Sequence, residues 1–119
     1  MIRLSNRVHM FANSATRDEF VDFFSDVLGC PAPTVVDVPR LGEPILVFEF
    51  PKGGSLSVEF SADTPEAKHG VWLELVAEDA DELQAKIVQA GRPRVIHLGT
   101  EAFYFVAPGG QVMRIVSGD

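Results

Sequence analysis

Apolar residues recur at helical spacing in the segment 16–28. The stripe consists of Phe20, Phe23, Phe24, Val27 and Leu28. Steps of three and four residues place such positions on one face of a helix, so the pattern predicts an amphipathic helix that packs against a core. Thr16 and Glu19 stand where a capping box would close the first turn. Gly29 follows the stripe and supplies the left-handed residue that ends many helices.

The same design returns later in the chain, over residues 79–90. Asp79 and Glu82 take the capping positions, and Asp79 lies 63 residues after Thr16. The apolar stripe here is Leu83, Ile87 and Ala90. Gly91 ends the segment. The chain therefore predicts two similar helices, one in each half.

Each predicted helix follows a strand with alternating faces, at 7–12 and at 70–77. Shifting the first strand by the same 63 residues superposes the two alternating rows, because side chains of a strand point to opposite faces in turn. The superposed pairs on the row expected to face the helix are Val8 with Val71, Met10 with Leu73 and Ala12 with Leu75. The superposed pairs on the other row are His9 with Trp72 and Phe11 with Glu74.

Three further strand candidates follow each helix. Those after the first helix are 33–38, 44–50 and 55–60, and those after the second are 94–98, 102–107 and 111–116. Glycine-rich turns separate the last two strands of each set, as in hairpins. The sequence therefore predicts βαβββ twice within a single domain, with module one at about 5–61 and module two at about 69–117.

Composition and charge exclude several classes of protein. The 119 residues are 46% hydrophobic and 23% charged, which is typical of a globular domain. No apolar run is long enough for a membrane span, and residues 1–10 contain no apolar stretch of signal-peptide length, so we expect no secretory signal. With Cys30 as the single cysteine, we expect a cytoplasmic protein without disulfides. The net charge of −7 argues against nucleic acid and against anionic membranes as partners.

The order and spacing of these elements resemble the vicinal-oxygen-chelate superfamily, which includes glyoxalase I, bleomycin-resistance proteins and extradiol dioxygenases. Residues 8–30, VHMFANSATRDEFVDFFSDVLGC, resemble the opening strand and helix of that family. Residues 78–91, EDADELQAKIVQAG, resemble its second helix, and residues 102–116, AFYFVAPGGQVMRIV, resemble its closing hairpin. The resemblance implies an α+β fold in which tandem βαβββ modules form a cup-shaped mixed sheet with the helices outside. It also implies a homodimer.

The resemblance further implies a position for a divalent metal such as zinc, nickel or iron. Metalloenzyme members place one ligand on the first and last strand of each module. Carried over, these positions are His9, Glu59, Trp72 and Arg114. Tryptophan offers a metal no lone pair and arginine is permanently cationic, so half of the ligand set is replaced. We therefore expect no metal cofactor. Glu74, together with His69 and His97, leaves open a shifted metal site.

Each candidate site residue also has a structural interpretation. His9 is either a ligand or catalytic group or a histidine held by hydrogen bonds. Glu59 is either a functional carboxylate or the ion-pair partner of Arg114. Trp72 either fills the cup or packs at a dimer interface, or it forms a stacking wall for a planar or cationic ligand. The remaining candidate ligand-binding residues are Glu74, Phe11 and Tyr104. The Tyr104 hydroxyl would be available to a ligand in the cup if its ring points inward.

Three functions follow from these alternatives. The favoured one is a glyoxalase- or bleomycin-resistance-like protein that binds a small molecule in the cup without the full metal site. The second is a divergent metal-dependent lyase, isomerase or dioxygenase that uses His9 and Glu59. The third is a metal-independent enzyme in which His9 and Glu59 act as catalytic acid and base. The sequence leaves open whether any reaction is catalysed, and it names no substrate.

Overall fold

A computed structural model describes residues 1–68, 70–96 and 102–118 of the chain. It divides into two compact units, Met1–Pro65 and Glu66–Asp119, which we call unit 1 and unit 2. Each contains one mixed sheet of four strands. The end of the predicted strand 94–98 and the two histidines of the shifted metal site, His69 and His97, lie outside the described residues. Within the described ranges, no helix is both long and apolar enough to cross a membrane.

Unit 1 has the predicted order of elements. Its strands are β1 (Arg7–Asn13), β2 (Thr34–Val36), β3 (Ile45–Glu49) and β4 (Ser55–Ser61). They are arranged β1-β4-β3-β2 across the sheet, and β1 is parallel to β4. The helical segment consists of a 3₁₀ turn, the helix α1 and a π-helical stretch, at Ser14–Thr16, Arg17–Val21 and Asp22–Val27.

The start of the first helix differs from the prediction. Thr16 makes no side-chain cap, so the predicted capping box with Glu19 is wrong. A 3₁₀ turn precedes α1, and Asn13 Oδ1 accepts a hydrogen bond from the backbone N–H of Ala15 at 2.9 Å. Because the extra turn moves the free N–H groups toward the N-terminus, the cap moves to Asn13. Thr16 Oγ1 instead donates to the Asn13 carbonyl at 2.7 Å.

Aromatic rings from the helix and the sheet form the core of unit 1. Phe24 is fully buried, and its ring centroid lies 5.2 Å from Phe48, 5.3 Å from Phe23 and 5.8 Å from Phe20. Such aromatic pairs add to the stabilisation that burial alone provides. Cys30 is also buried, and desolvation raises the pKa of its thiol to about 11, so it stays protonated near neutral pH.

Burial along β1 follows the predicted alternation from its fourth residue onward. Met10 and Ala12 are buried, whereas His9 and Phe11 are exposed on the other face. Val8 was expected in the buried row but is 38% exposed, since burial along the strand begins only at Met10. His9 therefore lies on the face of the sheet opposite the buried row, as predicted.

Unit 2 repeats the arrangement of unit 1. Its elements are β5 (Trp72–Ala77), α2 (Ala80–Gln89), β6 (Arg94–Val95), β7 (Phe103–Val106) and β8 (Val112–Ser117). The strand order is β5-β8-β7-β6, with β5 parallel to β8. A 3₁₀ turn at Pro108–Gly110 connects β7 to β8.

The predicted stripe and cap of the second helix are only partly confirmed. Ile87 is fully buried, but Ala90 is exposed and does not join the core. Asp79 makes no side-chain cap, because its φ of −102° and ψ of 45° are not the extended backbone that aims an N-cap side chain at the first turn. Gly91 has a φ of 79°, so it ends the helix in the left-handed conformation as predicted.

The strand registers of the two units correspond. Phe11 lies opposite Glu59 in the β1–β4 pair, and Glu74 lies opposite Arg114 in the β5–β8 pair. Phe11 and Glu74 are superposed by the 63-residue shift, so Glu59 and Arg114 occupy equivalent positions on their strands. The fold is α+β, with the βαβββ pattern in both units.

We predict that Phe24→Ala will destabilise the protein by about 3–5 kcal/mol, because it removes a ring that is fully buried among other rings. Urea unfolding followed by circular dichroism measures this loss. Phe11→Ala is the matched control, since Phe11 is 60% exposed and its removal should cost less than about 1 kcal/mol. Similar losses for the two variants would contradict this description of the core.

Candidate functional site

His9 is connected to β4 through both nitrogens of its ring. Its Nδ1 lies 2.6 Å from Ser57 Oγ, and its Nε2 lies 3.1 Å from Glu59 Oε1. The parallel register places His9 directly opposite Ser57, while Glu59 follows two residues later on the same face of β4. The sheet thus holds three polar side chains in one hydrogen-bonded row.

This row is open to solvent. The side chain of His9 is 41% exposed and that of Glu59 is 27% exposed. The Phe11 ring stands edge-on to the His9 ring at 5.2 Å and is itself 60% exposed. Unit 1 therefore presents an imidazole, a carboxylate and an apolar ring side by side on an accessible surface.

The sequence predicted His9 and Glu59 as candidate catalytic residues, and the structure brings them into contact. Ser57 was missed. The signal was present in the alternation of SLSVEF, which puts Ser57 on the face of Glu59. Only the parallel pairing of β1 with β4, however, brings that hydroxyl next to His9.

Arg114 is the centre of a second cluster, on the sheet of unit 2. The register places Arg114 between Glu74 of β5 and Tyr104 of β7. Its guanidinium carbon lies 5.6 Å from the centroid of the Tyr104 ring and 5.9 Å from that of the Trp72 ring, and its Nη1 lies 3.9 Å from Glu74 Oε1. Trp72 and Tyr104 meet in a T-shaped contact at 5.5 Å.

The burial of this cluster is graded. Tyr104 is buried, while the Arg114 side chain is 33% exposed and Trp72 is 40% exposed. Buried Arg114 Nε finds no hydrogen-bond acceptor among the residues that the structure describes. The two aromatic faces therefore provide cation–π contact to a guanidinium that is only partly satisfied by hydrogen bonds.

The structure settles the direction of Tyr104, which the sequence left open. Its ring shares a face with Trp72 and Arg114. Neighbouring Phe103 and Phe105 alternate to the other face of β7, where Phe105 is fully buried. All four candidate residues of unit 2 thus belong to one cluster.

Glu59 and Arg114 each have a partner within their own unit. Glu59 contacts His9, and Arg114 contacts Glu74. The ion pair between Glu59 and Arg114 that the sequence suggested stays a prediction.

Three solved structures from different sources share the fold of this chain. The first is trypanothione-dependent glyoxalase I of Leishmania major, with a TM-score of 0.71 and 16% identity, covering 92% of this chain and 84% of that one. The second is the fosfomycin resistance protein FosX of Listeria monocytogenes, with a TM-score of 0.73 and 11% identity, covering 100% of this chain and 94% of that one. The third is a glyoxylase/bleomycin resistance protein/dioxygenase domain from Frankia sp. EAN1pec, with a TM-score of 0.73 and 13% identity, covering 100% of this chain and 94% of that one. The chain has the fold of the vicinal-oxygen-chelate superfamily. No family model and no curated protein matches the sequence of this chain.

Two of the four positions that the resemblance implied for metal ligands carry side chains that do not ligate a metal. His9 and Glu59 carry donor atoms, but Trp72 has none, and Arg114 brings a positive charge. Glu74, the candidate replacement on the same face as Trp72, already contacts Arg114. Across residues 1–68, 70–96 and 102–118, no group of three or more His, Cys, Asp or Glu side chains is placed to hold a metal.

We predict that Arg114→Ala will cost only about 1 kcal/mol of stability, because the Arg114–Glu74 pair is partly exposed and water screens it. Urea unfolding measures the change. Glu74→Gln is the matched control for the ion pair alone and should lie within about 0.5 kcal/mol of the parent protein. A loss of about 3–5 kcal/mol for Arg114→Ala would instead indicate a fully buried charge pair.

Proposed function

We propose that the protein binds a small molecule through its vicinal-oxygen-chelate fold, without the metal site that the resemblance implied. The Arg114 cluster carries this proposal. At the two unit 2 positions where the resemblance implied metal ligands, the chain places Trp72 and Arg114 in cation–π contact. These side chains suit contact with an organic molecule better than coordination of a cation.

The cluster suits a planar ligand that has a negatively charged group. Trp72 is 40% exposed, so part of its ring is available for stacking. The Arg114 side chain is partly exposed, and its planar guanidinium can donate two parallel hydrogen bonds to a carboxylate.

A second candidate function is metal-independent acid–base catalysis by His9 and Glu59, which the contact between their side chains favours. The metal-dependent alternative needs a third ligand, and the described residues place none beside that pair.

We also propose the homodimer and the cytoplasmic location that the sequence predicts.

The proposed ligand site can be tested with the single tryptophan of the chain. In chelator-treated protein, we expect naphthoate, a planar carboxylate, to quench Trp72 fluorescence in a saturable way. N-methylquinolinium, a planar cation of the same ring size, should bind more weakly because Arg114 repels it. Arg114→Gln should weaken naphthoate binding by about 10-fold, which corresponds to about 1.4 kcal/mol.

Arg17→Gln provides the matched control. The Arg17 guanidinium also lies over an aromatic ring, that of Phe60, at 5.0 Å, but both residues belong to unit 1 and neither is part of the Arg114 cluster. This variant should leave naphthoate affinity unchanged. The absence of saturable quenching, a need for added metal, or equal effects of the two arginine substitutions would contradict the proposal.

A further inference from the structure

We propose that Ser57 is a nucleophile, with His9 as its general base and Glu59 as the carboxylate that orients the imidazole. The inference rests on the hydrogen-bonded row of unit 1, in which Ser57 Oγ lies 2.6 Å from one ring nitrogen of His9 and Glu59 lies 3.1 Å from the other. A nucleophile, a base and an orienting group within hydrogen-bond reach form the arrangement that activates serine hydroxyls in unrelated folds.

The direction of the two hydrogen bonds follows from the chemistry of the groups. An ionised Glu59 can only accept, so His9 Nε2 must carry a proton to bond it at 3.1 Å. A neutral imidazole has one N–H, which leaves Nδ1 as an acceptor. Ser57 must then donate its hydroxyl proton to His9 Nδ1, and this is the polarisation that nucleophilic attack requires.

A competing acceptor for the Ser57 hydroxyl is more distant. The backbone carbonyl of Val8 lies 3.5 Å from Ser57 Oγ, at the limit of a hydrogen bond, compared with 2.6 Å for His9 Nδ1. The shorter contact favours the proton shared with His9. Compared with the serine-protease triad, the two ring nitrogens exchange partners, but the imidazole still lies between hydroxyl and carboxylate.

The reaction that this row supports is acyl transfer from a small ester. As Ser57 Oγ attacks the carbonyl carbon, its proton moves to His9 Nδ1, and the resulting imidazolium is stabilised by Glu59. The bond from carbon to the leaving oxygen then breaks, and His9 returns the proton to that oxygen. Water, deprotonated by His9, next attacks the acyl-serine, the bond to Ser57 Oγ breaks, and Ser57 recovers its proton.

The surroundings of Ser57 indicate the class of ester. His9 is 41% exposed, so a small molecule can approach the row from solvent. The exposed ring of Phe11 beside His9 offers contact to an apolar acyl or aryl group. We therefore infer small carboxylic esters with an apolar or aromatic group as substrates. This activity uses only residues of unit 1 and does not depend on the ligand proposed for the Arg114 cluster.

The experiment uses the full chain and 4-nitrophenyl acetate as the probe. Release of nitrophenolate is followed by absorbance, and the acetylated residue is identified by peptide mass spectrometry after rapid acid quenching. We expect a burst of nitrophenolate and one acetyl group on Ser57. Ser57→Ala should abolish the burst, whereas His9→Gln should slow it by about 100-fold and Glu59→Gln by about 10-fold.

Ser55→Ala is the matched control. Ser55 lies two residues earlier on the same face of β4, opposite Arg7 instead of His9, and its removal should leave the burst unchanged. Acetylation of His9 in place of Ser57, a burst that survives in Ser57→Ala, or equal labelling of Ser55 and Ser57 would overturn the proposal. Circular dichroism of each variant confirms that a slower burst does not come from unfolding.

Discussion

The parallel pairing of the first strand with the last strand of each unit is the constraint on which both side-chain clusters depend. In unit 1 it places His9 opposite Ser57, and in unit 2 it places Glu74 opposite Arg114. A slip of one residue would turn every side chain of a strand to the opposite face. The burial of Met10 and Ala12 on the other face of β1 opposes such a slip, because it would expose apolar groups. The apolar core on one face of the sheet thus fixes the position of the polar groups on the other face.

Equivalent positions in the two units carry opposite chemistry. Glu59 and Arg114 occupy corresponding places on β4 and β8, yet one is an acceptor of hydrogen bonds and the other is a cation. In unit 1 the carboxylate holds an imidazole, and in unit 2 the guanidinium lies against two aromatic rings. The repeated backbone therefore carries one polar surface with an imidazole and a carboxylate, and one cationic, aromatic surface.

The fold was accessible from the sequence because it depends on patterns that extend over many residues. The stripe around Phe24 and the strand alternation around Met10 survive local errors, since many buried positions must agree. Helix starts were less accessible. Whether Thr16 or Asn13 caps a helix depends on the backbone angles of two or three residues, and a 3₁₀ turn changes the answer without changing the stripe.

The residues of the candidate site could be predicted only where the repeat or the resemblance pointed to a position in the sequence. His9, Glu59 and Arg114 were named as candidates because the repeat and the resemblance pointed to their positions. Ser57 was not found, because serine is common on strand surfaces and only cross-strand register gives it a partner. The direction of Tyr104 was left open, since it lies in a run of four buried residues, where burial on both faces removes the alternation that would show it.

The central claim is that these side chains serve an organic ligand and not a metal ion. Calorimetric titration of zinc into the chelator-treated protein tests it most directly, with metal analysis of the purified protein as a second readout. The account predicts no stoichiometric zinc binding, and no change on His9→Ala. Binding of one zinc, nickel or iron ion per chain that is lost on His9→Ala would contradict it.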